Sequence, residues 1–138
     1  MILVDSNVLI DVLDRDPHWF EWSAANINRA AFGAYLFVNP VVIGEMAPRF
    51  EALDDLRVLL AAMLIDVEPL MPEGAFLAGK AFQVHRRRKQ PMAAKSILAD
   101  FLIGGHAQSL NATILTRDPR FYRSYFPGVP LITPSKDD

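Results

Sequence analysis

The chain has 138 residues, 51% hydrophobic and 22% charged, which is the size and apolar content of one domain able to bury a core, so residues 1–138 are expected to form a single domain. It contains no cysteine, which excludes disulfide scaffolds, thiol nucleophiles and thiolate zinc sites. A net charge of −2, from 14 Lys and Arg against 16 Asp and Glu, excludes a protein that coats nucleic acid through a general basic excess, so any contact with RNA has to be local.

Met1 to Val4 is a short apolar run ending in an acid, which predicts a buried parallel strand with Asp5 at its carboxyl end. An acid this early, without a basic leader, is wrong for a signal peptide, and no apolar run reaches the ~18 residues needed to span a bilayer. A cytoplasmic location with no membrane contact is expected. Asp16 and Pro17 predict an N-cap and first helical position, with a helix to about Ala31. Leu36 to Val38 reads as a second strand, halted by Asn39-Pro40, and Glu45 is expected early in the following helix. Phe50, Leu53, Leu56, Leu59, Leu60 and Met63 recur at helical spacing, and Ile65 to Val67 follows as a third strand. Pro72 and Glu73 open a helix that ends in the basic run His85 to Lys89 and is broken by Gln90-Pro91. Ser96 opens another, to about Leu110, with Asn111 as its stop. Thr113 to Thr116 and Val129 to Ile132 are the last two strands. Strands alternating with helices predict an α/β sandwich with a mostly parallel sheet, in which ligands bind beyond the carboxyl ends of the strands.

The acids are informative through their isolation. Asp5 is the only charged side chain from Met1 through Ile10, Glu45 the only one from Leu36 through Ala47, and Asp100 the only one between Ser96 and Gln108. Asp100 lies on a helix that is apolar nearly all round, with Ile97, Ile103, Gly104 and Ala107 on its own side, and such a helix is normally buried. Burying an ionised carboxylate without a partner costs several kcal/mol, so each of these acids must be paired, protonated or bound to a cation. Each has a plainer use: Asp5 capping a turn, Glu45 favoured by a helix dipole, Asp118 starting an Asp-Pro turn. Three isolated acids in one small domain have a common explanation in a divalent cation, and oxygen-only ligation selects Mg²⁺ or Mn²⁺ over zinc.

The segment Val4-Asp5-Ser6-Asn7-Val8-Leu9-Ile10 resembles the opening motif of PIN-domain proteins. Glu45 in Val42-Ile43-Gly44-Glu45-Met46, Asp100 in Asp100-Phe101-Leu102-Ile103-Gly104-Gly105-His106-Ala107 and Asp118 in Leu115-Thr116-Arg117-Asp118 resemble its second, third and fourth acidic motifs. Order and spacing agree over nearly the whole chain, and at this length the resemblance is to the VapC toxins of type II toxin–antitoxin systems. Asn39-Pro40 stands where many members carry Ser or Thr. The resemblance implies a PIN-like α/β/α sandwich, Mg²⁺-dependent endoribonuclease activity, homodimerisation, and inhibition by a cognate antitoxin. It makes Asp5 and Asp100 direct metal ligands, with Glu45 and Asp118 completing the cage or holding metal-bound water.

Around these acids, Ser6, Asn7 and Thr116 are candidates to orient carboxylates or phosphate through hydrogen bonds, or to serve as turns and caps. Arg117 is a candidate phosphate contact or a solvated arginine. Arg86, Arg87 and Arg88 offer sequence-blind backbone contacts to RNA, or else form a solvated helix end that suits the dipole. His85 and His106 are poor ligands for an oxygen-rich site, and His18 reads as surface or packing. Trp19, Phe20 and Trp22 divide between core packing and a dimer or antitoxin surface. Two other functions compete with the nuclease: a noncatalytic regulatory module with the same fold, and a receiver-like phosphoryl-transfer domain. The latter needs a lysine after a late strand, and none follows Leu115-Thr116.

Overall fold

Short apolar runs, each separated from the next by helix, form one parallel sheet. The structure, a computed structural model, describes residues 1–88 and 97–138. Its strands are β1 (Ile2–Val4), β2 (Leu36–Val38), β3 (Ile65–Val67), β4 (Thr113–Leu115) and β5 (Leu131–Ile132), in the order β3-β2-β1-β4-β5. Every neighbouring pair is parallel, with Leu3 opposite Phe37 on one side and Ile114 on the other. The sheet is thus wholly parallel rather than mostly so. Its central strands are buried on both faces, and Leu3, Val4, Phe37, Val38, Ile114 and Leu115 are all 0% exposed. That burial from both sides is why β1, β2 and β4 read as continuous apolar runs without alternation.

The helices are α1 (Ser6–Leu13), α2 (Phe20–Gly33), α3 (Pro40–Met46), α4 (Leu53–Ala62), α5 (Pro72–Arg88), α6 (Ile97–Leu110) and α7 (Arg120–Tyr125), with a 3₁₀ turn at Ala47–Arg49. They cover the sheet as a PIN-like α/β/α sandwich. Among the described residues no helix is long and apolar enough to cross a membrane. The expected break at Gln90-Pro91 and the helix start at Ser96 lie outside the described residues.

Four local differences from the sequence pattern have physical causes. The pattern assigns nothing between Asp5 and Asp16, where the structure has α1, capped by Asp5 accepting the Ser6 N–H at 2.8 Å. Asp16 does not open α2. Its side chain accepts the N–H groups of His18 and Trp19 at 2.9 and 2.8 Å, making a separate turn that delays the helix to Phe20. Glu45 is the penultimate residue of α3, not an early one, because Asn39 caps that helix directly after β2 by accepting the Val42 N–H, with Pro40 at the first position. Pro48 lacks an N–H, and α3 accordingly gives way to the 3₁₀ turn at Ala47. Finally, the pattern leaves residues 117–128 without an element, where α7 adds Phe121 and Tyr122 to the buried set. Asn111 is the expected stop of α6, in the left-handed region at φ 53°.

The pairing of α5 with α6 sets where Asp100 stands. A Cβ on Gly105 would lie 2.4 Å from the Gly74 carbonyl oxygen and 2.7 Å from the Ala78 nitrogen, so the two helix backbones are in direct contact. This approach seats α6 deep in the sandwich, with Phe101, Ile103 and Ala107 each 0% exposed.

Candidate active site

The strand order makes β1 the switch point of the sheet. The chain runs outward from β1 through β2 to β3, then returns to the other side of β1 for β4 and β5. Loops leave the carboxyl ends of β1 and β4 in opposite directions there, which opens a crevice. Asp5 follows β1, and Asp118 stands three residues beyond β4. Glu45 reaches the crevice from the last turn of α3 and Asp100 from the first turn of α6 as described. These four acids, with Ser6, Asn7, Phe121 and Tyr122, line one cleft of about 190 Å³. Its described lining contains no Lys, Arg or His.

Asp5 is the most tightly held of the four. It is buried, and its Oδ2 accepts the Thr116 Oγ1–H at 2.9 Å and the Tyr122 Oη–H at 2.9 Å, with Asn7 Nδ2 at 3.5 Å. Its Oδ1 accepts the Ser6 N–H. Thr116 accepts in turn from Asn7 Nδ2 and from the Asp118 N–H, each at 3.1 Å. Asn7 Oδ1 accepts the Arg117 N–H at 3.3 Å. Ser6 Oγ donates to Glu45 Oε1 at 3.0 Å, tying α1 to α3. Asp5 is therefore both the helix cap that its position suggests and the centre of a fixed network, so the plain use and the chemical use coexist.

The carboxylates of the cleft raise one another's affinity for protons. Desolvation pushes the Asp100 carboxyl up to about 7, with further upward contributions from Asp5, Glu45 and Asp118. Burial raises Asp5 as well, against the downward pull of its hydrogen bonds from Thr116, Tyr122 and Ser6. Burial and the nearby carboxylates hold the Tyr122 hydroxyl protonated, well above its usual range. The last-turn position of Glu45 opposes the α3 dipole instead of benefiting from it, which removes the helix-dipole explanation for an acid there.

The donor set suits a hard divalent cation: carboxylate and hydroxyl oxygens, with no thiolate and, among the described residues, no basic lining side chain. The acids border the cleft without meeting at a point, since among the described residues no three acidic or imidazole groups form a ready coordination set.

Residues 2–127 match the PIN domain family. The chain belongs to that family. Its PIN fold is similar to a chain in the crystal structure of VapBC2 from Rickettsia felis bound to a DNA fragment from their promoter, with TM-score 0.73, 18% identity, and 96% of this chain and 98% of that one covered. A chain of the DNA-bound VapBC from Salmonella typhimurium matches at TM-score 0.69 and 18% identity, covering 96% of each. The structure of VapBC-1 from nontypeable Haemophilus influenzae matches at 0.68 and 17%, covering 96% of this chain and 98% of that one. At these identities the likeness is one of fold. Comparison with curated proteins gives no match.

The remaining candidates in this PIN domain fall into two groups. Asn7 and Thr116 join the cleft, but their hydrogen bonds point inward to Asp5 and to the loop after β4. Arg117 turns away from the cleft. Its Nε bonds Asp11 at 2.7 Å, its guanidinium lies 5.8 Å from the Trp19 ring, and Asp11 also accepts from Ser23 Oγ. Arg86, Arg87 and Arg88 are exposed at the end of α5 and do not line the cleft; Arg88 covers the Tyr125 ring at 5.1 Å. His85 and His106 are buried away from it, bonded to Tyr125 Oη at 2.7 Å and Asn39 Nδ2 at 3.0 Å, and burial lowers the pKa of His106. His18 is exposed against Trp19, and Trp22 packs on the core.

Sequence reasoning misses Tyr122 and Asp11. Nothing local marks Tyr122, because its partner is 117 residues away. Asp11 does carry a signal: it is an acid on the apolar helix that Asp5 caps.

Proposed function

We propose that this PIN domain is a Mg²⁺-dependent endoribonuclease, acting as the VapC-like toxin of a type II toxin–antitoxin pair in the cytoplasm. The observation that carries the reading is the single cleft bordered by Asp5, Glu45, Asp100 and Asp118. These acids come from four separate segments of the chain, two following strands and two on helices. Gathering like charges there is unfavourable for stability, so its purpose lies in binding.

Asp5 and Asp100 would hold the ion, with Glu45 and Asp118 completing its surroundings; Mn²⁺ would substitute. The ion, when bound, supplies neutralisation of the phosphate charge and a more acidic water. Asp5 is oriented for this by Ser6, Thr116 and Tyr122. Asp100, pushed up to about 7 in the metal-free cleft, would give up its proton as it takes the ion. Ser6 holds Glu45 at the cleft rim. Phe121 forms an apolar wall and packs edge-on against Phe101 at 4.7 Å, which fixes the α6 turn that carries Asp100.

The similar structures are VapBC and FitAB assemblies, several with DNA, which supports an antitoxin partner for this chain; a homodimer is proposed alongside it. The test is incubation of labelled RNA with purified protein, in Mg²⁺ and in EDTA, beside Asp5→Ala. Cleavage confined to the Mg²⁺-loaded parent supports the reading. Cleavage that persists in EDTA or in the variant refutes it. A Mg²⁺-insensitive protein that binds a partner without cutting RNA would instead be the regulatory module.

A further inference from the structure

A carboxylate oxygen offers two in-plane lone-pair directions for hydrogen bonds or a cation. On Asp5, Oδ2 accepts from two hydroxyls, Thr116 Oγ1 and Tyr122 Oη, each at 2.9 Å, while Asn7 Nδ2, at 3.5 Å, is too long a contact to fill a lone-pair direction. Neither donor has an evident alternative. Thr116 Oγ1 already accepts from Asn7 Nδ2 and the Asp118 N–H, so its own proton is committed to Asp5. Tyr122 is 1% exposed, and its hydroxyl has no other partner among the described residues. Among the described residues Oδ1 accepts only the Ser6 N–H, at 2.8 Å. One oxygen is thus closed, and the other has one direction open.

Mg²⁺ demands compact octahedral geometry, whereas Ca²⁺ accepts more oxygens and commonly takes both atoms of one carboxylate. We propose that Tyr122 is a positioning residue that closes Oδ2 of Asp5, so that the acid offers a cation one oxygen and the cleft favours Mg²⁺ over Ca²⁺. The inference rests on the reading of Asp5 as a cation ligand. It adds a residue that acts on the ion through its hydrogen bond to Asp5. Removing the Tyr122 hydroxyl reopens a lone pair on Oδ2, loosens the carboxylate, and admits two-oxygen binding by the larger ion.

The test is calorimetric titration of the full chain with Mg²⁺ and, separately, Ca²⁺ at pH 8, for the parent, Tyr122→Phe and Thr116→Val, with circular dichroism to check folding. Tyr122→Phe keeps the ring in the core and removes only the donor. Loss of a group that orients a metal ligand typically weakens binding by about 10- to 100-fold. The expected result is Mg²⁺ affinity falling by roughly tenfold or more, with Ca²⁺ falling less, so that the preference for Mg²⁺ narrows. Thr116→Val opens the same oxygen and narrows it likewise, which keeps the test decisive if Tyr122→Phe does not fold. Unchanged affinities, or equal weakening of both ions, overturn the role of Tyr122 while leaving the metal reading intact. A parent that binds neither ion overturns the metal reading, and this inference with it.

Discussion

Replacing Asp100 with Asn removes its charge and keeps its shape, and the structure fixes the sign of the effect. In the metal-free protein the Asp100 carboxyl is raised from 3.8 to about 7, first by desolvation and then by Asp5, Glu45 and Asp118. Between those values the folded protein keeps a proton that the unfolded chain has released. Stability therefore falls as pH rises through this window and levels off above about 7. At about 1.4 kcal/mol per pH unit the gap corresponds to about 4 kcal/mol, and because Asp100 is only half-buried, solvent screening reduces this to about 2–3 kcal/mol. Asn carries no charge at any pH, so Asp100→Asn is expected to match the parent near pH 4 and to exceed it by about 2–3 kcal/mol at pH 8. Urea unfolding in EDTA at both pH values measures this. Saturating Mg²⁺ is expected to narrow or reverse the order at pH 8, because binding stabilises only the protein that retains the ligand. A variant no more stable than the parent at pH 8 in EDTA, or a difference that does not change with pH, refutes the account of strained negative charge in the cleft.

Arg117→Met is expected to destabilise by about 3 kcal/mol, because it strands the carboxylate of Asp11, whose side chain is 1% exposed. The double variant Asp11→Asn/Arg117→Met should recover most of that loss in the same urea assay. Gly105→Ala should be the more damaging of two neighbouring alanine substitutions. Its Cβ meets the Gly74 carbonyl and Ala78 nitrogen at 2.4 and 2.7 Å, backbone that cannot step aside, whereas Gly104→Ala meets the Phe126 ring at 2.3 Å. A drop in melting temperature larger for Gly105→Ala confirms that α5 and α6 pack backbone to backbone; equal or smaller losses contradict it.

Much of the site is visible in the sequence because its ingredients violate local rules. An acid alone in an apolar run is costly to bury, and this logic picks out Asp5, Glu45 and Asp100 without knowledge of where they meet. The sheet is legible for a related reason: strands buried on both faces leave unbroken apolar runs at Ile2–Val4 and Leu36–Val38. What stays hidden depends on partners distant in the chain. The side-chain hydrogen bond of Asp16 displaces the start of α2, and the capping by Asn39 moves Glu45 to the far end of α3. Tyr122 matters through a contact spanning 117 residues, which no periodicity reports. Arg117 shows the converse: its position beside Asp118 suggests a phosphate contact, yet Asp11 and Trp19 hold it on the other side of the loop.

Everything proposed for this cleft depends on its taking up a divalent cation between residues remote in sequence. Diffraction from crystals soaked in Mn²⁺, recorded at a wavelength where manganese scatters anomalously, tests it most directly. The account predicts an anomalous peak in contact with the carboxylates of Asp5 and Asp100, abolished in crystals of Asp5→Ala. A peak located elsewhere, or a cleft without one under conditions in which the protein cuts RNA, would contradict it.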